Sequence, residues 1–336
     1  MTANQRIVLA SRPGMEAHGM PSAGNFRLEE APMPEPGPGQ VLVRNDWLSV
    51  DPYMRGRMLD LRSYAEPVAL GAVMVGDTAG EVIASQHPAF QPGDTVVGPG
   101  GWQRYGLAEA GQLRQVDATR IPLSAYLGVA GMPGVTAHVG LLGLCDPQPG
   151  ETVVVTAAAG AVGSAAGQLA QLRGCRVVGV AGGPAKCRHV TDELGFDACV
   201  DYRAGELDAQ LKSALPGGVD CVFDNVGGDI LAALIRRANH FARITLCGAM
   251  AEVNDPDPKG LPRLLPLITK RIKMQGFIVS DHAPRWSTAI DELSHHVAAG
   301  RIRYRETIAD GLAAAPAALI SLLQGGSLGK QLVRLG

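Results

Sequence analysis

The chain has 336 residues, too many for one compact core and suited to two domains of ordinary size. Hydrophobic residues make up 46% and charged residues 18%, a globular composition that speaks against disorder, and the net charge of -2 gives neither a basic field for nucleic acid nor a polybasic patch for a membrane. No apolar run approaches the roughly 18–20 uncharged residues that span a bilayer, and residues 1–10 lack a basic stretch leading into an apolar core, so a cytoplasmic location is expected.

Up to about residue 117, short β-like runs at 6–9, 26–30, 40–48, 73–84 and 94–97 are cut by turn clusters such as Pro34-Glu-Pro-Gly-Pro-Gly39. Irregular spacing with few helical signals predicts a mostly β, barrel-like domain. From about residue 123 the period changes. Apolar β-branched runs at 152–156, 176–180, 198–201, 220–223, 243–246 and 275–279 alternate with amphipathic stretches at 162–173, 185–194, 208–214, 230–240, 260–270 and 285–299. That alternation predicts a doubly wound parallel sheet with helices on both faces. After Gly300 the pieces at 304–308, 316–323 and 330–334 leave the alternation and are expected to return to the first domain, giving domains of 1–122 completed by 300–336, and 123–299.

The strongest chemical signal lies where the run at 152–156 enters Ala157-Ala-Ala-Gly160-Ala-Val-Gly163. Read against the dinucleotide pattern Gly-x-Gly-x-x-Gly, the three positions are Ala158, Gly160 and Gly163. Gly160 would let backbone approach a pyrophosphate on the positive end of the next helix, and Gly163 and Gly167 would let that helix pack closely on the strand. An NAD site usually ends its second strand in an acid that holds the ribose hydroxyls. Here that strand ends Val180-Ala-Gly-Gly183, with Lys186 close behind and Arg188 and Tyr202 nearby. A missing carboxylate and an added cation suit a 2′-phosphate, which favours NADPH. The bland reading of Lys186 is a solvated lysine in a first helical turn.

Several chemistries find no residues here. The first 144 residues contain no cysteine, the six cysteines are spread singly without a CxxC pair, and the eight histidines are scattered, so neither a catalytic nor a structural zinc site is expected. A Gly-x-Ser-x-Gly elbow, a Walker lysine loop and a Tyr-x-x-x-Lys relay are missing as well. Without a Lewis acid, reducing an already polarised double bond demands less than oxidising an alcohol: a positioned hydride and donors for the oxygen that gains charge.

Six segments carry a family likeness: Leu48-Ser-Val-Asp-Pro-Tyr-Met-Arg-Gly-Arg-Met58, Gly100-Gly-Trp-Gln103, Leu127-Gly-Val-Ala-Gly-Met-Pro-Gly-Val-Thr-Ala137, Ala157-Ala-Ala-Gly-Ala-Val-Gly-Ser164, Phe223-Asp-Asn-Val-Gly-Gly228 and Gln275-Gly-Phe-Ile-Val279. With these, the sequence resembles the zinc-free branch of the medium-chain dehydrogenase/reductase superfamily, which holds the prostaglandin reductases, leukotriene hydroxydehydrogenases and alkenal double-bond reductases. The resemblance implies a GroES-like β domain, a Rossmann domain binding NADPH, and commonly a homodimer. By the same resemblance, Lys186 and Tyr202 serve the 2′-phosphate side, with Gly182 beside them. Gly160, Ala161, Val162 and Gly163 lie along the pyrophosphate. Thr136, Asn225, Cys247, Gly248, Phe277, Ile278, Val279 and Ser327 are further cofactor positions. Tyr53 and Met132 fall near nicotinamide and substrate, with Arg55 and Ser280 on the substrate side.

Two departures stand out. Ser280 occupies a position where several members carry a tyrosine, and Ser327 replaces Asn in the late Gly325-Gly-Ser-Leu-Gly-Lys330 pattern. Individual residues keep plainer alternatives: Tyr53 as a packed ring, Arg55 as a surface or domain-bridging cation, Met132 as core filler, and Asp51 before Pro52 as a turn residue. The expected activity is NADPH-dependent hydride delivery to the β-carbon of an enone or enal, with Tyr53 or the cofactor ribose stabilising the carbonyl oxygen. Quinone reduction, NADP-dependent hydroxy-fatty-acid oxidation, and a non-catalytic NADPH-binding role are the alternatives.

Overall fold

The computed structural model describes residues 3–14, 20–253 and 264–336. The chain forms two compact units, Met1–Gly128 with Glu306–Gly336, and Val129–Arg305.

The first unit contains strands β1 (Asn4–Leu9), β2 (Phe26–Ala31), β3 (Gln40–Ser49), β4 (Thr78–Ser85), β5 (Thr95–Gly98), β6 (Tyr105–Glu109) and β7 (Arg114–Gln115). A short helix α1 (Tyr53–Arg57) follows β3, and β14 (Glu306–Asp310), α10 (Ala315–Leu323) and β15 (Lys330–Arg334) complete the unit from the end of the chain. β1 and β2 pair antiparallel. The remaining strands form one sheet in the order β14-β15-β3-β4-β5-β7, with β6 also on β3. β3 is the spine, because its ten residues pair antiparallel with β6, β4 and β15 along their length. Val41, Val43, Val82, Val96 and Ala110 form one core of this sheet, the alternate residues of β3 supplying its inner face.

The second unit opens with helix α2 (Met132–His138), which continues as wider π-helical turns through Val139–Cys145. Then come β8 (Thr152–Thr156), α3 (Ala161–Leu172), β9 (Arg176–Ala181), α4 (Pro184–Arg188), β10 (Ala198–Asp201), α5 (Leu207–Ala214), β11 (Val219–Asp224), α6 (Gly228–Arg237), β12 (Ala238–Leu246), α7 (Met250–Val253), α8 (Leu265–Thr269), β13 (Lys273–Gly276) and α9 (Trp286–Ala298). The strands form one parallel sheet in the order β10-β9-β8-β11-β12-β13. Val153, Val154 and Val155 are fully buried, as a central parallel strand covered on both faces requires. The chain leaves β8 in one direction for β9 and β10, then returns to β11 on the other side of β8. This reversal leaves a crevice at the carboxyl ends of β8 and β11, the usual ligand position in such sheets.

The predicted mostly β domain and the predicted parallel sheet are therefore both present, the first with antiparallel pairing throughout except between β14 and β15. Local expectations differ at several points; the strand expected at 73–84, for one, runs only over Thr78–Ser85. The helix expected at 230–240 ends at Arg237, because Ala238 pairs with Val219 and draws the following residues into β12. The strand expected at 275–279 occupies Lys273–Gly276 instead, since its partner β12 ends at Leu246, opposite Gly276. Of the helix expected at 260–270, residues 260–263 lie outside the described residues, and helix covers Leu265–Thr269. Among the described residues no helix is long and apolar enough to cross a membrane.

α3 crosses the sheet at a distance set by two glycines. A Cβ at Gly163 would stand 2.4 Å from the Ala157 carbonyl oxygen, and one at Gly167 would stand 1.8 Å from the Phe196 ring. The first approach is to the turn leaving β8 and the second to the ring that precedes β10, whereas packing on the strand itself is the expectation for both. Gly167→Ala should destabilise the protein by about 1–3 kcal/mol through overpacking. Thermal denaturation should register the loss, and adding Phe196→Leu should recover part of it; an unchanged midpoint in Gly167→Ala would contradict this packing.

Candidate functional site

The turn leaving β8 is built on one unusual backbone position. Ala157 adopts φ +49, in the left-handed region that L-residues avoid. Its carbonyl accepts the Gly160 amide at 2.9 Å, and the Ala158 amide donates to the Val180 carbonyl at 3.1 Å. The turn is thereby bound to β9 as well as to itself. Ala158 stands where the dinucleotide pattern has its first glycine, and its methyl is accommodated across the turn: a Cβ at Gly179 would lie 2.9 Å from the Ala158 Cβ. Gly160 caps α3 in extended conformation, with Ala161 and Val162 forming the first turn, all half-buried. The twelve-residue helix directs its unpaired amides and positive end at the space beyond Gly160.

At the end of β9, a side chain at Gly182 would have to push aside the ends of Tyr202 and Arg203. A Cβ there would lie 2.8 Å from the Tyr202 hydroxyl and 2.9 Å from Arg203 Nε, so both side chains fold back over this strand end. Arg203 also lies over the Tyr202 ring, 5.8 Å from its centroid. Lys186 approaches from α4; burial first, and then the positive Arg203, lower its proton affinity below the ordinary lysine value. Asp201 ends β10, and its Oδ1 accepts the amides of Gly183 (2.8 Å) and Arg203 (3.0 Å), so it shapes the turn. Sequence reasoning missed Arg203, although it directly follows Tyr202.

The crevice between β8 and β11 is tied by a polar knot. Thr156 donates its hydroxyl to Asp224 Oδ1 at 2.7 Å and accepts the Asn225 amide at 2.7 Å, while Asn225 Nδ2 donates to the Thr156 carbonyl at 2.7 Å. Asp224 has no exposed surface, and Oδ2 accepts the Gly227 amide at 2.8 Å. The amides of Cys247 (2.7 Å) and Gly248 (3.3 Å) both donate to the Asp224 carbonyl, which brings the end of β12 into the same place. Burial, with Asp224 beside it, raises the Cys247 thiol to about 12, so it stays protonated at neutral pH. Thr156 and Asp224 were overlooked, yet a polar residue ending each of two apolar strands was a readable signal.

Gly160, Gly182, Tyr202, Asn225, Cys247 and Gly248 thus all lie at the carboxyl edge of one sheet. Phe277, Ile278 and Val279 follow β13 on that edge. The Phe277 ring packs over Gly140 and meets His282 edge-on at 6.2 Å, the Ile278 carbonyl accepts the Asp281 amide, and the Val279 carbonyl accepts Trp286 Nε1 at 3.1 Å. Ser280 is exposed in the 3-10 turns of Val279–Arg285. Met132 opens α2 half-buried, and the Thr136 hydroxyl is committed to the Met132 carbonyl at 2.7 Å. The glycine turn, the positive end of α3 and the cations at Gly182 fit a dinucleotide carrying a 2′-phosphate. Among the described residues no group of three or more His, Cys, Asp or Glu could hold a metal ion.

In the other unit, Tyr53 starts α1 directly after Pro52. Burial first, and then the negative Asp77 and Asp51, push its phenol well above the ordinary tyrosine value. Asp51 is more than a turn residue. Its buried carboxylate accepts Lys330 Nζ at 2.8 Å and bonds the Ser49 hydroxyl. Asp77 is raised to about 6, by burial and then by Asp51, with Lys330 and Arg114 acting in the opposite direction. Arg55 is buried, and burial lowers its proton affinity; a surface placement does not apply. Ser327 is buried in the loop between α10 and β15.

Residues 5–116 match the profile for the N-terminal domain of oxidoreductases, and residues 161–295 that for zinc-binding dehydrogenases. The chain is 47% identical to an NADPH-dependent curcumin reductase of Escherichia coli (strain K12), over 99% of this chain and 97% of the relative. It is 41% identical to a 2-alkenal reductase (NADP(+)-dependent) of Nicotiana tabacum, over 88% of each. The crystal structure of CurA in complex with NADPH from Vibrio vulnificus superposes with a TM-score of 0.91 at 43% identity, covering 99% of both chains. With this likeness running along nearly its whole length, the chain belongs to the zinc-free branch of the medium-chain dehydrogenase/reductase superfamily.

Proposed function

We propose that this protein is an NADPH-dependent reductase that saturates the carbon–carbon double bond of α,β-unsaturated ketones or aldehydes and leaves the carbonyl intact. What supports the reading is the likeness to the NADPH-dependent curcumin reductase and the 2-alkenal reductase, with Tyr53 a phenol donor at the start of the short helix after β3. NADPH, when bound, supplies the hydride that the β-carbon receives. Tyr53 donates a hydrogen bond to the carbonyl oxygen as negative charge builds there, a contact that strengthens as the charge develops. The α-carbon takes its proton from water. A single neutral donor suits charge spread over an enolate, whereas direct carbonyl reduction needs a stronger electrophile and an acid for the alkoxide.

The cofactor rests on residues at the carboxyl edge of the parallel sheet. Gly160, Ala161, Val162 and Gly163 present the positive end of α3 to the pyrophosphate. Lys186, Tyr202 and Arg203 take the 2′-phosphate, with Gly182 leaving the room they occupy. Thr136, Asn225, Cys247, Gly248, Phe277, Ile278, Val279 and Ser327 serve the rest of the cofactor. Met132, Arg55 and Ser280 are assigned to the substrate side. Burial of Arg55 makes it a weaker candidate for steering an acidic tail than its sequence suggests. The six cysteines are unpaired, as in the reducing interior of a cell, and a homodimer is the proposed assembly.

Product analysis with deuterated NADPH and a simple enone tests the chemistry. Deuterium on the β-carbon of a saturated ketone is the expected result, and an allylic alcohol labelled at the carbinol carbon would rule the proposal out. Lys186→Ala should raise the KM for NADPH roughly ten- to a hundredfold, the worth of one charge-assisted contact of about 1.5–3 kcal/mol, with little change for NADH. Arg203→Ala should act in the same direction. Equal use of both cofactors by the unmodified protein would end the 2′-phosphate assignment. Full activity should survive a strong chelator, and elemental analysis should find well under one zinc per chain; loss of activity restored by zinc would count against the mechanism.

A further inference from the structure

We propose that the buried Lys330–Asp51 pair is a positioning pair for Tyr53, locking the corner between β3 and α1 so that the phenol faces the substrate oxygen. This rests on the role of Tyr53 proposed above. Lys330 reaches across 279 positions of sequence to donate to Asp51 Oδ1 at 2.8 Å, and it donates to the Val50 carbonyl at 2.8 Å as well. The Val50 amide in turn donates to the Gln331 carbonyl at 3.1 Å, so the first residues of β15 hold this corner through both backbone and side chain. The Ser49 hydroxyl bonds the same carboxylate.

The two side chains are only 4% and 8% exposed. A buried pair of this kind adds little net stability over an apolar pair of similar volume, but it fixes direction, because each charge must find its partner. The rigidity passes straight to Tyr53. Pro52 fixes its own φ, the Met54 amide donates to the Asp51 carbonyl, and the Arg55 amide donates to the Pro52 carbonyl. Tyr53 is therefore the first helical residue on a corner with little freedom left.

The charged and titratable groups around the pair are Asp77, Glu306, Tyr53 itself, and, farther out, Arg57, Tyr64 and Arg114. Lys330 counters burial at both Asp77 and Glu306, whose carboxyl groups would otherwise hold their protons more firmly. Removing the lysine therefore changes the field at Asp77, which itself acts on the phenol, as well as loosening the corner.

A double-mutant cycle tests the proposal, using the full chain with saturating NADPH and 4-phenylbut-3-en-2-one. Tyr53→Phe alone and Lys330→Met alone should each lower kcat by roughly ten- to a hundredfold, the worth of one donor to a developing oxyanion. The enone KM and the NADPH Kd from fluorescence titration should each move less than about threefold, because the lost contact belongs to the transition state. The double variant should lie within about threefold of the slower single variant, since the lysine acts through the phenol. Where Lys330→Met does not fold, Asp51→Asn, which keeps the shape and removes the charge, takes its place in the cycle. Multiplicative losses in the double variant, or wild-type kcat in the Lys330 or Asp51 variant, would overturn the positioning role while leaving that of Tyr53 intact. Wild-type kcat in Tyr53→Phe would remove the Tyr53 reading and this proposal together.

Discussion

Asp224 puts a carboxylate with no exposed surface at the carboxyl edge between β8 and β11, where a buried charge is tolerated only when its oxygens are satisfied. The groups that satisfy it include the Thr156 hydroxyl and the amides of Val226 and Gly227, all at strand ends or in the turns that leave them. Asn225 closes the circuit by bonding Thr156 through both its amide and its side chain. The ends of β8, β11 and β12 are consequently held at fixed spacing at the point where the sheet reverses its winding. The glycine turn after β8 and the loop after β12 start from this knot, so their geometry inherits its rigidity.

The glycine turn shows how a departure from a sequence pattern is absorbed. Ala158 replaces the first glycine, and the room its methyl needs is provided by Gly179 on the neighbouring strand. Ala157 accepts the left-handed backbone instead, at a cost of about 1–3 kcal/mol for a non-glycine residue. The surrounding bonds offset that strain, notably the Gly160 amide on the Ala157 carbonyl and the Ala158 amide on Val180. Gly163 then has to remain glycine, because the same Ala157 carbonyl occupies the place of its side chain.

What can be read from sequence follows the range of the interactions concerned. β8 and β10 are found at the expected residues, because an apolar β-branched run between turn residues encodes a buried parallel strand locally. The ends of α6 and β13 are not encoded locally: each is set by what β12 pairs with, so a helical period at 230–240 yields to the sheet at Ala238. The same distinction runs through the site. Gly160, Gly163 and Lys186 announce themselves through spacing, and Tyr53 and Asn225 through the segments around them. Arg203 becomes visible only when Gly182 is seen to leave room for it. The Lys330–Asp51 bond joins the two ends of the chain, and neither residue points to the other in sequence.

The cations beside Gly182 bear on why an extra phosphate should be preferred and not merely tolerated. Burial first, and then the positive Arg203, lower the proton affinity of Lys186, which puts the two cations near one another. Asp201 is near, but its Oδ1 is engaged by the Gly183 and Arg203 amides, which orients it toward the turn. On the reading proposed above, a 2′-phosphate would bring negative charge to both cations and an acceptor to the Tyr202 hydroxyl, whereas a ribose hydroxyl in its place would offer them no charge. Selectivity of this kind depends as much on the penalty imposed on the wrong cofactor as on the attraction for the right one. The glycine pair at 182 and 183 belongs to the same arrangement: a side chain at 182 would displace Tyr202 and Arg203, and Gly183, at φ +92, is the residue from which the chain enters α4, the helix that carries Lys186.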